Sequence, residues 1–166
     1  MIRKGSTMIF KLNNCILDID VERTRAFYER TDIKSIGEQC SCCGCQNFDK
    51  VIMEASDRVT EFLRSLGIDP RKPPEVYNVT GLLEKDGTIW YNGWYHVCGT
   101  IVKSPGTEQV NDAYFREHSY SPDPDCPFKV LPILDNALLH EDFPTPVIQL
   151  EIDTHLPYVL EAPFEG

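Results

Sequence analysis

Clustered positive charge is missing from this chain. Its 16 Lys and Arg stand against 26 Asp and Glu, a formal net charge of −10. No Lys/Arg-rich run occurs, so the counterion-releasing surface that phosphate contact requires is not there. The sequence therefore predicts no nucleic-acid partner; a basic protein or a small molecule suits it better. Long apolar runs are missing too. Charges or turn residues interrupt every hydrophobic segment short of the roughly 20 residues that a membrane helix needs, which predicts no membrane partner. The opening Met1-Ile2-Arg3-Lys4-Gly5-Ser6-Thr7 is short and polar for a cleavable leader. Seven cysteines are an odd number for a disulfide framework. Together these give the expectation of a soluble protein at a reducing, cytoplasmic address. There is no G-x-S-x-G elbow and no glycine-rich phosphate loop, so hydrolase and nucleotide readings lack their anchors and no catalytic residue is assigned.

What the chain does contain fits one globular domain over residues 1–166, with 42% hydrophobic residues and a core that needs no disulfides. Residues 8–19 read as two short extended pieces about Asn13-Asn14. Asp20 is placed to cap a short helix through Tyr28. Residues 33–39 read as an extended approach to a cysteine-rich loop over 40–45. Apolar residues then recur at helical spacing from Phe48 to Leu66, with Asn47 as a cap, or with a break at Ser56-Asp57. Gly67 followed by Ile68 is a Schellman-type stop. From Glu75 the period changes to two, predicting a three-stranded antiparallel meander over 75–102 with tight turns at Asp86-Gly87 and Asn92-Gly93. Further strands are predicted over 113–120, 128–134 and 147–156. The expected class is α+β: a mainly antiparallel sheet with that meander, and one or two helices packed on one face.

The chemistry concentrates in Cys40-Ser41-Cys42-Cys43-Gly44-Cys45, four of the seven cysteines in one loop. A single loop cannot bury four thiols well, so they are poor core filler. Cys42 and Cys45 have the C-x-x-C spacing of zinc ligands, and Cys40 offers a third thiolate. Cys43 is awkward for the same ion, because adjacent residues rarely both turn inward. A fourth ligand is expected from His96 or Cys98, which share one face of a predicted strand. Two other readings stand beside structural zinc. C-x-x-C ahead of a helix also suits thiol redox chemistry, and the four thiols can simply be free. Elsewhere, Glu151, Asp153 and His155 alternate along a strand and read as a solvated face; His118 and His140 have no visible partner. Trp90, Tyr91, Trp94 and Tyr95 crowd the tip of the predicted hairpin, covering the core or forming a contact patch.

The series Asp20-Val21-Glu22-x-Thr24-Arg25-x-Phe27-Tyr28, Cys40-x-Cys42-x-x-Cys45-x-Asn47-Phe48, Phe62-Leu63-x-x-Leu66-Gly67-Ile68-Asp69-Pro70-x-Lys72-Pro73-x-Glu75 and Gly93-Trp94-Tyr95-His96 resembles a family of uncharacterised bacterial proteins. The resemblance covers most of the chain, in order, and carries no activity with it. The family's pattern is C-x-C-x-x-C, which makes Cys43 an extra and implies that Cys40, Cys42 and Cys45 act together. The functional expectation is a zinc-stabilised binding or interaction module with an acidic surface. The alternative is a thiol-based redox enzyme or a zinc-dependent enzyme that uses the Cys40–Cys45 loop.

Overall fold

The computed structural model describes residues 7–105 and 111–165. The elements in chain order are β1 (Thr7–Leu12), β2 (Cys15–Asp20), α1 (Val21–Tyr28), α2 (Ile36–Gln39), α3 (Cys43–Val51), α4 (Asp57–Ser65), β3 (Glu75–Asn78), β4 (Thr88–Lys103), α5 (Asp112–His118), β5 (Phe128–Ile133) and β6 (Val147–Pro157). The strands form one six-stranded sheet in the order β1-β2-β4-β6-β5, with β3 also on β4. Every pairing is antiparallel. The fold is α+β. Among the described residues no helix is long and apolar enough to cross a membrane.

Local chemistry sets several boundaries. Leu12 pairs with Cys15 across a two-residue turn, where Asn13 takes a φ of 53°, a left-handed conformation that Asn tolerates better than most residues. Asp20 caps α1 by accepting from the Arg23 amide at 3.1 Å. Ser56 does the same for α4 through the Val59 amide at 3.2 Å, so the apolar periodicity after the cysteine loop belongs to two helices. At the end of α4, Gly67 N–H donates to Arg64 O at 2.9 Å and Ile68 N–H to Leu63 O at 3.0 Å. With Gly67 at a φ of 89°, this is the Schellman closure, and it needs glycine.

Four expectations are corrected. Asn92-Gly93 is not a turn; it lies inside the 16-residue strand β4. Its glycine serves close approach, since a Cβ there would overlap the Glu75 carbonyl oxygen of β3. The meander therefore keeps only its first turn, at Asp86-Gly87, and β4 finds its other partner in β6. Residues 33–39 are not wholly extended: Ile36–Gln39 is a helical turn with a Ser35/Glu38 capping box. Asn47 does not cap α3; it is buried within the helix, and Cys42 holds the cap position. The strand expected over 113–120 is mostly α5. Asn111 caps it through the Tyr114 amide at 2.9 Å, and the aromatic pair Tyr114-Phe115 rides on a surface helix with no buried residue.

One edge of β4 explains where α1 sits. Pairing with β3 starts at Glu75 opposite Trp94, and pairing with β2 begins at Ile19 opposite Gly99. Among the described residues, the backbone between them has no strand beside it on this edge. Buried amides and carbonyls cannot be left unpaired without cost, and α1 supplies the partners. Tyr28 O–H donates to His96 O at 2.7 Å and its oxygen accepts from His96 N–H at 3.2 Å, while Thr24 Oγ1 accepts from Cys98 N–H at 3.0 Å.

The core lies on the face of β4 and β6 that carries Ile89, Tyr91, Tyr95 and Val97 with Ile148, Leu150, Ile152 and Leu156. These join Phe48, Val51, Ile52, Val59, Leu63 and Leu66 of the helical layer in one buried cluster.

Candidate metal centre

The site is built from the end of α2 and the start of α3. Cys42 is the N-cap of α3, its Sγ accepting from the Cys45 amide at 3.4 Å. Cys45 is the third residue of the helix, so the first turn carries its side chain back toward the cap. Cys40, the C-cap of α2, brings its Sγ to 3.1 Å from that of Cys42. The three sulfurs of Cys40, Cys42 and Cys45 all lie within 4.8 Å of one another. A tetrahedral ion with Zn–S bonds of about 2.3 Å needs sulfurs about 3.8 Å apart, so this group can hold a metal ion with only small side-chain rotations. Cys43 points elsewhere: its Sγ donates to the Glu165 carbonyl at 3.0 Å.

The seat behind the thiols is firm. Asn47, fully buried, donates to Tyr91 Oη at 3.3 Å and to Pro157 O at 2.9 Å, and accepts from the Val159 amide at 2.9 Å. Tyr91 O–H donates to Gly44 O at 2.7 Å, and its ring meets Phe48 edge-on with centroids 5.2 Å apart. The helix bearing Cys45 is thus pinned to β4 and to the end of β6. On the other side, Asp49 accepts from Ser35 Oγ at 2.6 Å and from the Gly37 amide at 3.0 Å, and pairs with Arg71. Gln46 Nε2 donates to Cys40 O at 2.8 Å. These bonds lock α2 to α3 and fix the separation of Cys40 from the other two thiols.

Charge is unevenly shared among the sulfurs. Hydrogen bonds from the Cys42 side chain and backbone, then from Cys45, hold the Cys40 thiol below its ordinary range. Burial, followed by the hydrogen bonds of Cys40 and Cys42, pushes the Cys45 thiol up. Like charges this close cannot all ionise alone; a cation at their centre removes that conflict and favours the thiolates. In front of the sulfurs is a cavity of about 280 Å³, walled by Glu75, Val76, Tyr91, Phe164 and Glu165 among others.

His96 and Cys98 are not part of this group. The thiol loop packs on the side of β4 that presents Tyr91, and residues five and seven positions further along a strand project from the opposite face. His96 is buried with Nε2 3.0 Å from Gln149 Oε1. Cys98 is buried with Sγ 3.6 Å from Arg23 Nη1. What sequence reasoning missed is Glu75, which reaches the thiol cavity because β3 runs past the start of α3; only the pairing of β3 with β4 reveals it.

The same alternation separates the four aromatics. Tyr91 and Tyr95 are fully buried in the core, and Trp90 and Trp94 lie on the other face, so no hairpin tip gathers them. Glu151, Asp153 and His155 share that other face but are half-buried rather than solvated. Trp90 Nε1 donates to Asp153 at 3.0 Å and its ring stacks on His155 at 5.5 Å; Gln149 Nε2 donates to Glu151 at 2.8 Å. His118 ends α5 beside Tyr114, with ring centroids 4.6 Å apart, and His140 packs edge-on against Phe27 at 5.3 Å.

Comparison of the chain with protein-family models, with curated proteins and with solved structures finds no match.

Proposed function

We propose that this protein is a zinc-stabilised binding module in which Cys40, Cys42 and Cys45 hold the ion. The observation that supports it is the convergence of three thiol sulfurs, all within 4.8 Å of one another, at the start of one helix. Their lone pairs have no stronger use in the fold. The fourth donor comes from the cavity side, where Glu75 is among the lining residues and swings its carboxylate in on metal binding; carboxylate oxygen is an ordinary zinc ligand. The metal ties the α2–α3 junction to β3, and the role is structural. The acidic surface, at a net charge of −10, then suits a basic protein or a small molecule as the partner, and the reducing address expected from cysteine usage keeps the thiols available to the metal.

The test is metal content in protein purified without added zinc. Near-stoichiometric zinc in the native protein, loss in Cys42→Ser and weakened retention in Glu75→Gln are expected. Equal zinc in native protein and Cys42→Ser, or none in either, removes the proposal. A second reading has its own support in the 3.1 Å approach of the Cys40 and Cys42 sulfurs. In that reading the two thiols give up two protons and two electrons to an external disulfide and become one disulfide. A mass loss of two hydrogens under mild disulfide stress, abolished by zinc, is its signature.

A further inference from the structure

A second cavity, of about 440 Å³, opens among α1, the segment leading into α2 and the loop that carries Leu138 and Phe143. It shares no lining residue with the thiol cavity. Phe27, Tyr28, Leu138 and Phe143 form apolar walls, and His96 lines the interior while only 2% exposed. A volume in this range is that of an ordinary small-molecule site.

The imidazole of His96 is fixed in one tautomer by a chain of bonds behind it. Gln149 Nε2 donates to the Glu151 carboxylate at 2.8 Å, and Gln149 Oε1 accepts from the Ala137 amide at 3.0 Å. Both contacts demand the same orientation of the Gln149 amide. It therefore offers His96 an oxygen, 3.0 Å from Nε2, and only a protonated Nε2 can bond to it. A neutral ring then carries a bare lone pair on Nδ1. Burial lowers the imidazole pKa, against the smaller opposing effect of the Gln149 bond, so the ring is neutral near pH 7. Among the described residues no protein group bonds to Nδ1. An unpartnered acceptor on a side chain that lines a largely apolar pocket is stabilised by a donor that a ligand brings to it.

Two lysines, Lys34 and Lys72, line this cavity although the chain as a whole is acidic. Lys72 Nζ is anchored by donating to Tyr28 O at 2.6 Å and has Asp69 at the 4.0 Å limit of an ion pair, and the one carboxylate among the lining residues, Asp32, is already paired with Arg30 at 2.6 Å. We propose that this cavity binds a small aromatic acid. The aryl ring lies against Phe27, Tyr28 and Phe143, a ring N–H or O–H donates to His96 Nδ1, and the carboxylate meets Lys34 and Lys72.

The test titrates indoleacetate and hydroxyphenylacetate into the full chain while long-range proton–nitrogen NMR follows the His96 ring. The free protein shows a protonated Nε2 and an unprotonated Nδ1, and each acid moves the Nδ1 resonance with a dissociation constant of about 1 mM or tighter. The N-methyl and O-methyl derivatives, which keep the carboxylate and lose the donor, bind about tenfold more weakly, the loss of one hydrogen bond. Lys34→Gln weakens the acids but not their neutral carboxamides. A protonated Nδ1 in the free protein, no movement of the His96 resonances by either acid, or methylated derivatives that bind as well as their parents overturns the proposal. None of these readouts depends on removing His96, which is buried and bonded to Gln149.

Discussion

Two stretches of this chain look alike as ligand sets, Cys40–Cys45 and His96–Cys98, and the fold treats them in opposite ways. In the first, the contacts of the Cys40 and Cys42 sulfurs stay within the loop, to each other and to the Cys45 amide. They keep lone pairs to spare and converge with Cys45. In the second, the groups do not converge: His96 Nε2 is held by Gln149, Cys98 by the Arg23 guanidinium, the backbone of both by α1, and the free Nδ1 of His96 belongs to no group of three ligand atoms among the described residues. Residue type alone therefore does not mark a metal site. Convergence of lone pairs that the fold has not already used does, and in a sheet that convergence is decided by strand parity.

The largest effect should come from striking the first stretch and sparing the second. Structural zinc supplies about 10–16 kcal/mol of apparent binding free energy in small zinc domains, so removing one of three thiolates outweighs any ordinary packing change. Cys42→Ser should lose its metal and melt at the temperature of chelator-treated native protein. Cys98→Ser should keep full zinc. If both variants retain zinc, or both lose it, the two stretches are not the distinct things that their geometry suggests.

Phe48→Ala should come next. Phe48 is fully buried against Tyr91 beneath the thiol loop, and truncating such a ring costs about 3–5 kcal/mol. Because α3 rests on it, zinc affinity should fall together with denaturation midpoint, although no ligand is touched. Stability lost with zinc affinity unchanged would mean that the thiols are organised by their own loop alone.

Tyr28→Phe is the matching change at the second stretch. It removes one hydroxyl that serves both His96 N–H and His96 O. Leaving buried backbone groups unsatisfied costs about 1–3 kcal/mol, visible as a lower urea midpoint with an unchanged m-value. Zinc stoichiometry should not move. A variant as stable as the native protein would show that water, rather than α1, closes the gap between β3 and β2.

What was legible in the sequence was what neighbouring residues decide by themselves. The Asp20 cap, the Ser56 break, the Gly67 closure and the Asp86-Gly87 turn all rest on bonds within a few residues, and the antiparallel α+β class follows from the alternation that they punctuate. The thiol group belongs here too, since Cys40, Cys42 and Cys45 meet through one cap and one helical turn. What was not legible depends on a distant partner. Asn92-Gly93 has the composition of a turn, but β3 presses so close that only glycine fits in the strand beside it. Asn47 has the composition of a cap, yet its bonds run to Tyr91 and to the end of β6. His96 and Cys98 have the composition of zinc ligands, and nothing local says which face of β4 the thiol loop will cover.

The smallest expected effect is the sharpest check on the thiol group itself, because it concerns a cysteine inside the loop that the geometry leaves out. Cys43 is the first residue of α3 and its Sγ donates to the carbonyl of Glu165 at 3.0 Å. It sits at a half-exposed position, where substitutions away from special features usually change stability by less than about 0.5 kcal/mol. Serine keeps a donor there, shorter in reach but stronger, and serine suits the first turn of a helix. Cys43→Ser should therefore leave zinc content, metal affinity and melting temperature where they were, while Cys40→Ser and Cys45→Ser reproduce the loss seen with Cys42→Ser. Cobalt substitution reads the same distinction optically, since sulfur-to-metal charge transfer scales with the number of thiolates: the band should persist in Cys43→Ser and shrink in each of the other three. A band reduced in Cys43→Ser to the same degree would place a fourth thiolate on the ion, require the Glu165 contact to break on metal binding, and dismiss Glu75 from the coordination sphere.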